Sequence, residues 1–233
     1  MKTATRAKEL QFVATSSAGR VSAVLILPKR SEWLLVFGPG AGAGMRHKFL
    51  EAICWRLAGH GIGTFRYQFP YMEKGFRRPD PKPVLLATVL SAIETAEGLA
   101  KGVPLLAGGK SMGGRMTSMA MAEKNSSAVR GLVFFGFPLH PSGLPSTGRA
   151  EHLSNVALPM LFLQGTRDSL ADLNLLKPIC KKLGKRVYLH VIDGADHSFH
   201  VLKRSGKTDG EVLDELTATT STWAGAGPVF IMS

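Results

Sequence analysis

Short apolar runs alternate with longer stretches in which apolar residues recur every three or four positions, almost from one end of the chain to the other. The runs Trp33 to Phe37, Ile62 to Tyr67, Val103 to Ala107, Val129 to Phe135, Pro159 to Gln164 and Val187 to Ile192 are short and rich in aliphatic and aromatic residues, which predicts buried strands. Leu10 to Ala14 and Val21 to Leu27 read as a leading pair of strands that turns at Ser16-Ser17-Ala18-Gly19-Arg20. Between these lie helical patterns. His47 to Ala58 carries Phe49, Leu50, Ile53 and Leu57 on one face, and Val84 to Lys101, Arg115 to Glu123, Leu173 to Leu183 and Glu211 to Trp223 follow the same period. Gln68 to Pro83 reads as a proline-rich, basic loop, and the tail from Gly225 to Ser233 receives no assignment.

Strands that alternate with helices predict the α/β class: a mostly parallel central sheet with helices on both faces. Residues 1–233 hold no internal repeat and no linker, so a single domain is expected. Gly136 to Leu158, where an inserted cap would sit, is short, so the cap is expected to be minimal or missing. In such sheets ligands bind beyond the carboxyl ends of the strands, and the loops leaving strands are where chemistry belongs.

One of those loops carries a pattern with a mechanism. Gly109-Lys110-Ser111-Met112-Gly113 matches G-x-S-x-G, with an apolar strand before it and a helix after it. The sharp turn this motif makes exposes a serine hydroxyl at the start of a helix, where unpaired N–H groups favour a developing negative charge. A serine hydroxyl needs a base, and the base an orienting acid. Asp168 in Gln164-Gly165-Thr166-Arg167-Asp168 and His197 in Gly194-Ala195-Asp196-His197 each leave a strand, in the chain order Ser, Asp, His. Asp168 competes with a helix-capping role, Asp172 is a weaker rival for the acid, and His200 is a rival for the base. The oxyanion donors expected are the backbone N–H of Met112 and that of Ala41, in a loop from Gly38 to Gly44 made only of Gly, Ala and Pro. Gly40, His47, Tyr71, Arg115 and His140 are candidates to contact substrate, and Arg115 alternatively tethers the Gln68 to Pro83 loop.

These blocks resemble the α/β-hydrolase superfamily, and within it the small, nearly lidless dienelactone-hydrolase-like proteins and their testis-expressed eukaryotic relatives. The likeness rests on Gly40-Ala41-Gly42-Ala43-Gly44-Met45, Gly108 to Arg115, Phe137-Pro138-Leu139-His140-Pro141 and Ala195 to Phe199. It implies a serine hydrolase, a carboxylesterase of small esters acting through an acyl-enzyme. Thioesterase or amidase and peptidase activity with the same three residues, or a non-catalytic interaction module, are the alternatives. Ser111 stands where true dienelactone hydrolases use cysteine, so their substrate is not carried over. Pro39-Gly40 stands where relatives often have His-Gly, which removes one N–H from the oxyanion loop.

Composition narrows the partners. A hydrophobic share of 45% is that of a globular chain with a core. The formal charge of +12 is spread in small groups, such as Lys74, Arg77, Arg78 and Lys82, without a nucleic-acid motif, so a solvated basic surface is expected and no nucleic-acid partner. The glycines at 38, 40, 42 and 44 lack a well-placed acidic partner for a dinucleotide ribose. No cofactor and no metal site are expected. The two cysteines form neither a disulfide framework nor a zinc pattern. The polar N-terminus and the lack of a long apolar run point to a cytoplasmic protein that neither enters nor spans a membrane. The oligomeric state, the natural substrate and its acyl length are open at this point.

Overall fold

The computed structural model describes residues 5–227. Eight strands form one sheet: β1 (Ala7–Thr15), β2 (Gly19–Ile26), β3 (Trp33–Gly38), β4 (Ile62–Tyr67), β5 (Leu105–Lys110), β6 (Val129–Phe135), β7 (Met160–Gly165) and β8 (Val187–Ile192). Their spatial order is β1-β2-β4-β3-β5-β6-β7-β8. The β1–β2 and β2–β4 pairs are antiparallel, and every later pair is parallel. Among the described residues six α-helices accompany the sheet: α1 (Lys48–Gly59), α2 (Pro70–Glu73), α3 (Lys82–Leu99), α4 (Met112–Glu123), α5 (Leu173–Leu183) and α6 (Asp209–Gly225).

The period-two alternation of the strands sorts their side chains into two cores. Leu34, Val36, Ala107, Leu132, Phe134, Met160 and Phe162 pack against α3, α4 and α5 on one face. Leu35, Phe37, Leu106, Val133, Phe135, Leu161 and Leu163 pack against α1 and α6 on the other. Strands buried on both faces are near-continuously apolar, which is why they stand out in the sequence. Cys54 lies in the second core and Cys180 in the first, both as free thiols, so the sheet itself separates them.

Several predicted boundaries shift. β5 continues through Gly108, Gly109 and Lys110, which pair with Val133, Phe134 and Phe135 of β6. Glycine is a poor strand former, so propensity ends this strand too early. α4 accordingly begins at Met112 rather than Arg115. The Gln68 to Pro83 segment is not all loop: α2 occupies its start, and α3 begins at Lys82, where Pro83 fits the first turn. α6 is longer than the apolar pattern because Thr208 and Glu211 form a reciprocal capping box. It takes in Gly225, the first residue of the unassigned tail, while 228–233 lie outside the described residues. Between β6 and β7 the only helical stretch is a 3-10 turn from Gly148 to Asn155, and among the described residues no inserted cap covers the strand ends. No helix among the described residues is long and apolar enough to cross a membrane.

Candidate active site

Ser111 sits in the turn between β5 and α4 with φ 52° and ψ −118°. For a residue with a Cβ this backbone is strained, and it persists only because its surroundings over-determine it. The Ser111 N–H donates to Phe135 O on β6 (3.2 Å), and its carbonyl accepts the Arg115 N–H (3.1 Å). Gly113, on the first turn of α4, lies flat against the end of β3. A Cβ there would collide with the Gly38 carbonyl and approach Pro39 O at 2.7 Å, and one at Gly109 would collide with the same Gly38 carbonyl. The loop after β3 and the serine turn therefore meet backbone to backbone. Gly113→Ala is expected to cost about 3–5 kcal/mol of stability, because the neighbours it strikes are main chain and have no rotamer to yield. Gly42→Ala, with nothing near its Cβ, stays within about 0.5 kcal/mol. Urea melts of the two variants check this, and equal midpoints would refute the close seam.

The chain of hydrogen bonds runs from Ser111 through His197 to Asp168. His197 Nε2 lies 2.8 Å from Ser111 Oγ, and Nδ1 lies 2.7 Å from Asp168 Oδ2. The Asp168 carboxylate is almost fully buried (1% exposed) and accepts twice more, from Gln164 Nε2 (2.5 Å) and the Leu170 N–H (2.8 Å). Gln164 Oε1 takes the Phe137 N–H (2.9 Å), which fixes the orientation of that amide. With every partner of the carboxylate a donor, the proton of neutral His197 belongs on Nδ1, and Nε2 faces the serine as an acceptor.

Two loops hold this pair in register. After β7, a Cβ on Gly165 would strike the Ala195 carbonyl, and the Arg167 N–H donates to that same carbonyl (2.9 Å). After β8, Asp196 Oδ1 accepts from Ser198 N (2.8 Å), Ser198 Oγ (2.9 Å) and His200 N (3.0 Å). Burial works to raise the Asp196 pKa, but the hydrogen bonds from His200 and Ser198 outweigh it and hold the carboxyl below its ordinary value. The loop is tight enough to put Phe199 at φ 64°.

The rivals are engaged elsewhere. His200 pairs with Asp209 at 2.9 Å, and Asp172 caps α5 by accepting the Asn174 N–H at 2.8 Å. Capping, the competing role for Asp168, thus falls to Asp172.

Met112 is the first residue of α4, a position whose N–H has no partner within a helix. Ala41 lies within a turn closed by Ala43 N–H to Gly40 O (3.2 Å). Its carbonyl accepts the Tyr71 hydroxyl at 2.7 Å, and Gln68 Oε1 takes the Met45 N–H at 2.9 Å, so the middle and the far end of the glycine-rich loop are tied to the segment after β4. A cavity of about 300 Å³ opens above Ser111 and His197, bordered by Gly40, Ala41, His47, Leu50 and Leu170. His47 also caps α1, its Nδ1 accepting the Phe49 N–H at 3.3 Å.

Three of the sequence candidates for substrate contact stand back from this cavity. Tyr71 is behind the glycine-rich loop rather than on its open side, and burial and then Asp80 push its pKa up to about 12, so it stays a donor to Ala41. His140 is buried: Nδ1 is 2.9 Å from Pro141 O, and Nε2 accepts the Asp172 N–H at 2.9 Å, which braces the loop that carries Asp168. Arg115 lies within electrostatic reach of Arg149 and His152, and no hydrogen bond links it to the 68–83 segment among the described residues. Sequence reasoning missed Gln164, Leu170 and Lys110. Gln164 left a signal, as the lone polar residue at the end of an apolar strand. Lys110 left none, since an isolated lysine reads as solvated. Among the described residues no group of three or more His, Cys, Asp or Glu could hold a metal ion.

Comparison with known proteins agrees with this architecture. The family model described as an alpha/beta hydrolase domain matches residues 31–225. A dienelactone hydrolase from Anabaena variabilis superposes with a TM-score of 0.72 at 18% identity, covering 95% of this chain and 98% of the other. A serine hydrolase without a lid from Xanthomonas campestris gives a TM-score of 0.73 at 18% identity, over 95% and 96% of the two chains. The esterase domain of a Rhodothermus marinus protein gives 0.72 at 15% identity, over 96% and 99%. At these identities the structures speak to the fold, and the match over residues 31–225 speaks to descent: the chain belongs to the alpha/beta hydrolase domain family.

Proposed function

We propose that this protein is a serine carboxylesterase acting on small, soluble esters. The observation that carries the reading is the continuous chain Asp168–His197–Ser111, with links of 2.7 and 2.8 Å. Ser111 Oγ attacks the ester carbonyl as His197 Nε2 takes its proton. Asp168 orients the ring and stabilises the imidazolium that forms. The Met112 and Ala41 N–H groups receive the oxyanion, His197 returns the proton to the leaving alcohol, and water then resolves the acyl-enzyme by the same steps.

Loss of the Pro39 N–H does not reach this arrangement, because the donor assigned to the loop is that of Ala41. Thioesters and amides present the same carbonyl to the same groups. The cavity supports short acyl chains: it is about 300 Å³, small residues form one wall, and among the described residues no cap stands over it to enclose a long chain.

A fluorophosphonate probe is expected to label the wild type and not Ser111→Ala. Labelling of neither folded protein would favour an interaction module, and labelling of both would mean a different nucleophile. Short aryl esters such as the acetate are expected to exceed the palmitate by about 100-fold in kcat/KM. The reverse order would overturn the small-ester reading.

A further inference from the structure

Lys110 is the residue the proposed chemistry does not use and the fold does not require. It is the last residue of β5, just before Ser111, yet its side chain is buried and borders the cavity. Its Nζ donates to the His197 backbone carbonyl at 2.6 Å and lies over the faces of Phe199 and Phe49, 5.5 and 6.0 Å from the ring centres. Those two rings stack on each other at 5.6 Å, one from the His197 loop and one from α1. Gly136, at the end of β6, leaves the room: a Cβ there would stand 3.1 Å from Nζ and 3.4 Å from His197 Nδ1. A buried ammonium is costly, and an apolar side chain of similar volume usually serves stability as well or better. Its presence beside reacting groups therefore points to function.

Resting on the esterase reading, we infer that Lys110 is a positioning residue: its charged ammonium clamps the carbonyl of His197 to the strand that carries Ser111, and the clamp loosens when the ammonium loses its proton. Without it, among the described residues base and nucleophile are hydrogen-bonded to each other only through Nε2 and Oγ, a bond they must break and remake in each cycle. With it, a second link runs from His197 O through the Lys110 side chain to the peptide bond of Ser111. The groups around Nζ are Asp168 from the loop after β7, Asp196 and His197 from the loop after β8, and the two phenyl rings. Burial lowers the Lys110 pKa to about 8, against the pull of Asp168 and Asp196. The charge-assisted bond, roughly twice as strong as a neutral one, therefore weakens just above neutrality.

The experiment compares wild type with Lys110→Met. Wild-type kcat should fall to a lower plateau as the pH rises through about 8. Lys110→Met should show no such step and a kcat reduced about ten- to a hundredfold at pH 7, with KM little changed. Its melting temperature should hold or rise, whereas a purely structural lysine would lose stability and leave the pH profile alone. An alkaline step that persists in Lys110→Met, or that wild type lacks, overturns the inference.

A second readout needs neither turnover nor a variant. The backbone amide resonances of Asp196, His197 and Phe199 in wild type should inflect near pH 8, and their absence of inflection would refute the clamp even if Lys110→Met failed to fold. An inflection in a protein that hydrolyses no ester would retain the clamp and discard the esterase reading.

Discussion

Ser111→Ala and His197→Ala are each expected to lower kcat by about a millionfold, and the double variant to be no worse than either alone. On the proposed mechanism the two groups act as one device. Without the imidazole the Ser111 hydroxyl is a poor nucleophile, and without the hydroxyl the imidazole has no proton to take. The residual rate, about a thousandfold above water, would come from the oxyanion donors and from holding the ester in place. Ser111→Ala should change stability little, since it removes one end of a bond that faces the open cavity, whereas His197→Ala also takes a 2.7 Å partner from the buried Asp168 carboxylate and should cost about 1–3 kcal/mol. Turnover of a short aryl ester by the four proteins of the cycle measures this. Single losses that multiply in the double variant would show that the residues work independently, and the acyl-enzyme mechanism would fall.

Asp168→Asn is expected to fold and to lose about 1,000-fold in kcat. The reason lies in the partners of the carboxylate. His197 Nδ1 and Gln164 Nε2 converge on Oδ2, and only the Leu170 N–H reaches Oδ1. An asparagine satisfies two donors by keeping its oxygen at the Oδ2 position and turning its amide towards Leu170. Gln164 cannot invert to help the opposite orientation, because its own oxygen is held by the Phe137 N–H. His197 thus keeps its tautomer and loses the negative charge that stabilises the imidazolium. An inverted tautomer would cost more, roughly 10,000-fold. The kcat, with the nitrogen-15 spectrum of His197 to report the tautomer, checks both parts. Activity within tenfold of wild type would remove Asp168 from the working site.

Much of this was legible because buried parallel strands leave strong marks. Val129–Phe135 and Val187–Ile192 were read to the residue, since each is a mostly apolar run, the first ended by Gly136 and the second bounded by Arg186 and Asp193. Ser111, Asp168 and His197 were legible for a different reason: each follows a strand that pattern alone could place. What stayed hidden depends on side-chain direction. Tyr71 and His140 carry the right chemistry in the right loops, but one braces the Ala41 carbonyl from behind and the other holds the Asp172 N–H. Sequence separates a residue that touches the site from one that supports it only where the strand period continues into the turn. At Lys110 it did continue, through two glycines that propensity discounts, and so a lysine pointing inward went unread.

The contact between Gly38 and Gly113 constrains how this scaffold changes. The serine turn and the glycine-rich loop after β3 share a wall with no side chain on either side, so selection or engineering has nothing there to enlarge, shrink or recharge. Substrate range has to be rewritten from the rim, at Ala41, Ala43, Leu50 and Leu170, whose side chains border the cavity and belong to no part of that wall. A library built on those positions should return folded proteins with altered preferences, whereas one that includes positions 109 and 113 should return mostly insoluble ones.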